Sequence, residues 1–278
     1  DLTSPITTYG ANTGTTTIQD YPYSFLPFLP NLATLEQSIL RLLKFSFSMI
    51  KIFTTLICTV AFTAIAAQVK LPRLISDSMI LQRDAKIKIW GWAAADEKVT
   101  VSFHNKSYST ITGKDGKWMT VLLTLHAGGP FDMQIDASNH ITIKNILTGD
   151  VWICSGQSNM ELPMQRVQDK YPDIITTASN PNIRQFNVST KHNFQAAQED
   201  FASGSWQTTT PQSVLQFTAV GYFFAKTLYE KYQVPIGLIK SAVGGSPAEA
   251  WLSEDALKQF PAYLLKADTL KNDAYVDS

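Results

Sequence analysis

The periodicity of the apolar residues changes near residue 148, and that change limits the folds open to this chain more than any other feature. From Val69 to about Leu147 the side chains alternate with the two-residue period of a strand. "KIKIWGW" (Lys86 to Trp92) and "KVTVSFH" (Lys98 to His104) alternate polar with apolar. "KWMTVLLTL" follows the turn "GKDG" (Gly113 to Gly116), and "FDMQIDA" and "HITIKNIL" complete the series. Short strands separated by Gly, Asp and Asn turns, with no helical stretch between them, predict a small antiparallel β-sandwich over 68–147. Trp90, Trp92 and Trp118 fall on these strands. They form either a sugar-binding platform or, as is commoner for such residues, core and edge packing.

From Gly149 onward the pattern is that of an α/β protein. The apolar strand "DVWIC" runs into "SGQSNMELPM", and a polar, irregular stretch follows with turns at "NPNIR" and "GSW". "VLQFTAVGYFFAKTLYEKYQ" then sets Phe217, Val220, Phe224 and Leu228 at helical spacing, with Lys226, Glu230 and Lys231 off that stripe. This predicts an amphipathic helix laid on a sheet. "VPIGLIKSAV" is a short apolar strand, and "GGSPAEAWL" follows it. Strand, helix, strand, helix in this order predicts a parallel sheet over 148–278.

Upstream of both regions stands "MIKIFTTLICTVAFTAIAAQ" (Met49 to Gln68). One lysine, an apolar run from Ile52 to about Ala66 and small residues before Gln68 follow the three-part plan of a signal peptide over 49–67. Cleavage near Ala67 places the protein in the periplasm or outside the cell. The alternative, a transmembrane helix, needs ~20 apolar residues, more than the run supplies. Cys58 lacks the preceding small residues of a lipoprotein signal, so no stable membrane anchor is expected. Residues 1–48 open on Asp1 and are rich in Thr, Ser and Pro; they are read as upstream reading frame rather than a structured extension. Cys154 then stands alone after export, which excludes an internal disulfide. With 23 basic and 23 acidic side chains, no field draws the chain toward nucleic acid. Four histidines and two cysteines without zinc spacings point to no metal, and nothing implies a cofactor.

Ligands of open α/β sheets collect at the carboxyl ends of the strands. Two such ends are legible here, Gly156-Gln157-Ser158-Asn159 and Gly244-Gly245-Ser246. Ser246, Pro247 and Glu249 fit N-cap, N1 and N3 of a helix, a capping box. Gly244 and Gly245 would bring bare backbone N–H groups to that helix end, a place for a carboxylate, a phosphate or an oxyanion. A serine at the other tight corner, Ser158, exposes its hydroxyl and its own N–H. It is not the G-x-S-x-G elbow, since Met160 holds the last position. Taken singly, a Ser-Asn pair after a strand is more often a helix cap; the two corners on adjacent strands carry the reading. Asn159, Glu249 and Trp251 are read as corner and cap supports, and Gln157, Asn159 and Trp251 as possible borders of a substrate site.

"GDVWICSGQSNMELPM" followed by "FTAVGYFFAKTLYEKYQVPIGLIKSAVGGSPAEAWLS" resembles the sialate O-acetylesterase family of the SGNH/GDSL hydrolases. "LPRLISDSMILQRDAKIKIWGWAAADEKVTV" resembles the β-rich domain that precedes the catalytic domain in bacterial members. The likeness covers Gln68 to about Ser253. It implies an SGNH-type, flavodoxin-like parallel sheet, Ser158 as nucleophile, and the N–H groups of Ser158 and Gly244 in the oxyanion hole. The implied partner is an O-acetylated sugar or sialic acid. Two family features are missing: a later Q-G-E-S-N block and the Asp-x-x-His that activates the serine. His104, His126, His140 and His192 are better read as surface or turn residues. The expectation is therefore the N-terminal part of a catalytic domain, itself inactive, with exposed sheet edges. The alternative is a non-catalytic carbohydrate-binding protein on a degenerate esterase frame. An acyltransferase on the same frame would need water kept from the acyl-enzyme.

Overall fold

The structure, a computed structural model, describes residues 36–37, 39–47, 68–191 and 193–272. The chain divides into two compact units, Asp1–Ala64 and Ile65–Ser278. In the first, residues 39–47 are helical and exposed. The expected signal peptide and its cleavage point lie outside the described residues, as does most of the expected upstream extension. Among the described residues no helix is long and apolar enough to cross a membrane.

In the second unit, alternation translates directly into two facing sheets. β1 (Ile80–Gln82), β3 (Lys98–Phe103), β4 (Lys106–Ile111), β6 (Gly128–Asp136) and β7 (His140–Gly156) form one sheet; β2 (Ile87–Trp92) and β5 (Lys117–Leu122) pair antiparallel as the other. Ile87, Ile89, Trp118 and Leu122 face Val99, Val101, Phe103, Met133, Ile135 and Ile143 in one core. Each such fully buried apolar side chain contributes roughly 1.5–3 kcal/mol. The three tryptophans therefore do not act together: Trp118 is in the core, whereas Trp90 is exposed.

β7 has 17 residues and serves both regions. Its first half pairs antiparallel with β6. Its second half, Asp150 to Gly156, pairs parallel with β10 (Ile236–Ala242). The expected division at residues 147 and 148 falls inside this strand. β10 pairs parallel with β8 (Asn180–Asn187), which pairs antiparallel with β9 (Trp206–Thr209). The strand order is β4-β3-β6-β7-β10-β8-β9, a mixed α/β architecture that is mostly antiparallel with a parallel segment.

Two details differ from expectation. The stretch expected to be irregular, with turns at "NPNIR" and "GSW", contains β8 and β9. Four residues of β8 are buried, and two of them, Arg184 and Gln185, are polar, so no apolar alternation marks the strand. The helix on the sheet, Ala219–Tyr232, is present but rotated. Its buried face is Ala219, Gly221, Tyr222 and Ala225, whereas Val220 and Phe224 are exposed. Small residues win this face because the helix lies close: a Cβ on Gly221 would stand 3.1 Å from Cys154 Sγ and 3.4 Å from Leu238 Cδ1. Phe224 instead meets Trp152 of β7 edge-on, ring centroids 4.9 Å apart.

Candidate active site

Parallel pairing brings the two expected corners together. Ser155 lies beside Ser241 and Gly156 beside Ala242, so β7 and β10 end side by side. Val243 then donates its N–H to the Gly156 carbonyl, 3.0 Å. Gly156 turns the chain at φ +136°, a region open to glycine and rarely to other residues. After it Ser158 opens α1 (Ser158–Glu161), a single turn, and is exposed.

The second corner lies against the first. A Cβ on Gly244 would stand 3.4 Å from Ser158 Oγ and 2.5 Å from Glu161 Oε2, so a side chain there would have to push the Glu161 carboxylate aside. Gln157 Nε2 donates to the Ser246 carbonyl across the gap. Ser246 Oγ donates to the Val243 carbonyl, 2.7 Å, and accepts from Trp251 Nε1, 2.9 Å. Gln157 and Trp251 thus fix the glycine corner, and the exposed indole of Trp251 borders it. Asn159 is exposed. Glu249 sits near Lys266, 3.9 Å.

The expected capping box does not form. The segment after the glycines is one 3-10 turn, Ala248–Trp251, with Pro247 at its N-cap and no side-chain cap. Ser246 Oγ is taken by Val243 and Trp251 instead of the backbone ahead of it. The glycine corner thus presents its backbone without a helix behind it.

No local pattern in the sequence marks Glu161. It is three residues after Ser158, a spacing that puts both on one side of a helical turn, but its partner is 83 residues away: Gly244 N donates to Glu161 Oε2 at 2.7 Å. Cys154, buried under the corner, has its thiol pKa pushed up by desolvation, so it is a packing group rather than a nucleophile. Among the described residues no imidazole reaches Ser158. His104 is in an exposed turn and stacks edge-on with Phe131, His126 pairs with Asp84 at 2.7 Å, and His140 bonds Asp136 at 2.6 Å and Thr142 at 2.9 Å. His192 lies outside the described residues. No group of three or more His, Cys, Asp or Glu among the described residues could hold a metal ion.

An exposed alcohol beside a bare backbone corner suits attack on a carbonyl followed by stabilisation of the charge on its oxygen. Comparison with known proteins agrees with this geometry. Residues 148–275 match the family model described as carbohydrate esterase, sialic acid-specific acetylesterase. The sialate O-acetylesterase of Rattus norvegicus is 33% identical over 202 residues, covering 66% of this chain and 37% of that protein. The Homo sapiens sialate O-acetylesterase is 32% identical over 205 residues, covering 66% of this chain and 39% of its own length. The chain thus spans well under half of these relatives. The crystal structure of a carbohydrate acetylesterase from Xanthomonas citri superposes with a TM-score of 0.66 at 36% identity, over 69% of this chain and 44% of that one. With its serine corner and glycine corner side by side, the chain is similar to the sialate O-acetylesterases, and residues 148–275 match the model of that family.

Proposed function

We propose that this chain carries the nucleophile and oxyanion corner of an exported carbohydrate O-acetylesterase acting on acetylated sugars or sialic acids. The observation that supports it is the meeting of Ser158 Oγ with the Gly244 corner, 3.4 Å from where a side chain would begin. Ser158 Oγ attacks the acetyl carbonyl carbon, and the carbonyl electron pair moves onto oxygen. The N–H groups of Ser158 and Gly244 hold that oxyanion. Collapse expels the sugar alcohol, which takes a proton, and leaves an acetyl-serine that water hydrolyses to acetate.

The serine proton needs a base. Ser158 has no imidazole partner among the described residues, so we assign the base to polypeptide beyond them. Expressed alone, the chain is expected to hydrolyse p-nitrophenyl acetate at the buffer rate. In the intact enzyme, Ser158→Ala is expected to lower kcat/KM by ~10⁴-fold or more. Robust Ser158-dependent turnover by the chain alone would place the base within it; an undiminished Ser158→Ala enzyme would remove Ser158 as nucleophile.

A further inference from the structure

The Gly244 amide already has a partner. Glu161 Oε2 accepts its N–H at 2.7 Å, and the same oxygen crowds the point where a Cβ would stand, 2.5 Å away. Ser158 Oγ is 3.4 Å from that point, so nucleophile, amide and carboxylate share one corner. Ser158 opens the single turn of α1 and Glu161 closes it. An amide has one proton to give, so an oxygen from substrate reaches it only by displacing the carboxylate. Among the described residues no lysine or arginine forms an ion pair with Glu161, so no cation holds the carboxylate in place.

We propose that Glu161 is the resting occupant of the oxyanion position, a carboxylate that yields the Gly244 N–H to the acyl oxygen as that oxygen becomes negative. The inference rests on reading Gly244 as an oxyanion donor. Charge decides the exchange. Hydrogen bonds to ionised acceptors are roughly twice as strong as those between neutral groups, so an ester carbonyl in the ground state does not displace the carboxylate. The alkoxide of the tetrahedral intermediate carries the same charge as the occupant and competes with it on equal terms. Glu161 thus costs the alkoxide the full strength of the hydrogen bond it displaces and the ground-state carbonyl only the weaker neutral one, so the carboxylate gates access to the amide rather than accelerating the step. Acetate, the expected product, also carries the charge needed to compete for this amide.

The test follows the Gly244 amide by NMR in the full chain. In the wild type, a scalar coupling through the hydrogen bond links Gly244 ¹⁵N to the Glu161 carboxyl carbon and is lost on saturation with acetate. Glu161→Gln and Glu161→Ala move the Gly244 proton upfield and leave Gly221 and Gly237 in place. Sodium acetate then titrates Gly244 at a concentration lower by about tenfold or more than in the wild type, the direction expected when a charged competitor is removed. Absence of the wild-type coupling, or acetate titrating wild type and variants alike, overturns the proposal; the coupling needs no variant to fold. Should Gly244 behave as described while the intact Ser158→Ala enzyme keeps its activity, the functional reading fails and the Glu161 contact stands. Should Ser158 prove essential while Gly244 ignores Glu161, only this inference fails.

Discussion

Arg184 illustrates what a single residue does that no local pattern announces. It lies mid-strand in β8, 1% exposed, with no carboxylate partner among the described residues. Its guanidinium donates to the carbonyls of Pro181, Ser78 and Asn145 and to Asn145 Oδ1, at 2.6–3.0 Å. Burial lowers its pKa to about 10, which leaves it charged at neutral pH, so the carbonyl dipoles carry the charge. The planar fork matters: an ammonium has three donors on one nitrogen, whereas Arg184 spreads its donors over three nitrogens to reach four acceptors. Arg184→Met leaves those acceptors without donors and is expected to cost about 3 kcal/mol, read from the urea midpoint. Arg184→Lys should recover only part of it. At the residue scale the adjoining corners of Ser158 and Gly244 are legible because they have a recognisable grammar, a glycine turn at the end of an apolar strand. Arg184, Gln185 and Glu161 carry no such mark, because each is satisfied by a partner remote in the chain.

Elements were legible where one face is apolar and the other is wet. In the sandwich β2, β3, β5, β6 and the start of β7 are legible in alternation, whereas β1 and β4 are not; the strand ending at Cys154 and the helix Ala219–Tyr232 are legible as a pair. The helix face was misjudged because hydrophobicity marks burial only on average: here close approach selects Gly221 and Ala225, and the large residues are left to the rim. Thr218 caps the helix, accepting from Gly221 N, and Gln185 of β8 accepts the Thr218 N–H at 3.0 Å, so strand and helix start are tied together. Gly221→Val is expected to destabilise by about 3 kcal/mol through overpacking against β7 and β10, whereas Val220→Ser should stay within about 0.5 kcal/mol. Chemical denaturation of the two variants decides between the buried face described here and the stripe through Val220. Equal effects would restore the latter.

At the scale of the whole second unit, β7 is the shared spine. Where it changes partner, Arg83 on the sandwich side bonds Asp150, Nε to Oδ1 at 2.8 Å, and Gln82 Oε1 accepts the Val151 N–H at 2.9 Å. Beyond Gly149, no described strand pairs with the other edge of β7, and Ile153 is 73% exposed beside Trp152. Open apolar edges template pairing between copies. Ile153→Lys is expected to lower self-association of the isolated chain, measured by light scattering over a concentration series; an unchanged series would mean the edge is not the contact.

Composition, alternation and two glycine corners were enough to determine the α/β class, the sandwich, the parallel pair and the placement of Ser158 at a strand end, because each depends on neighbours within a few residues along the chain. Tertiary structure alone decided that β7 is continuous, that β8 is a strand despite its polar centre, which face of the helix is buried, and that Glu161 holds the Gly244 amide. The reason is range: those outcomes depend on hydrogen bonds and contacts between residues far apart in sequence, whose complementarity exists only once the two ends of β7 and β10 are side by side.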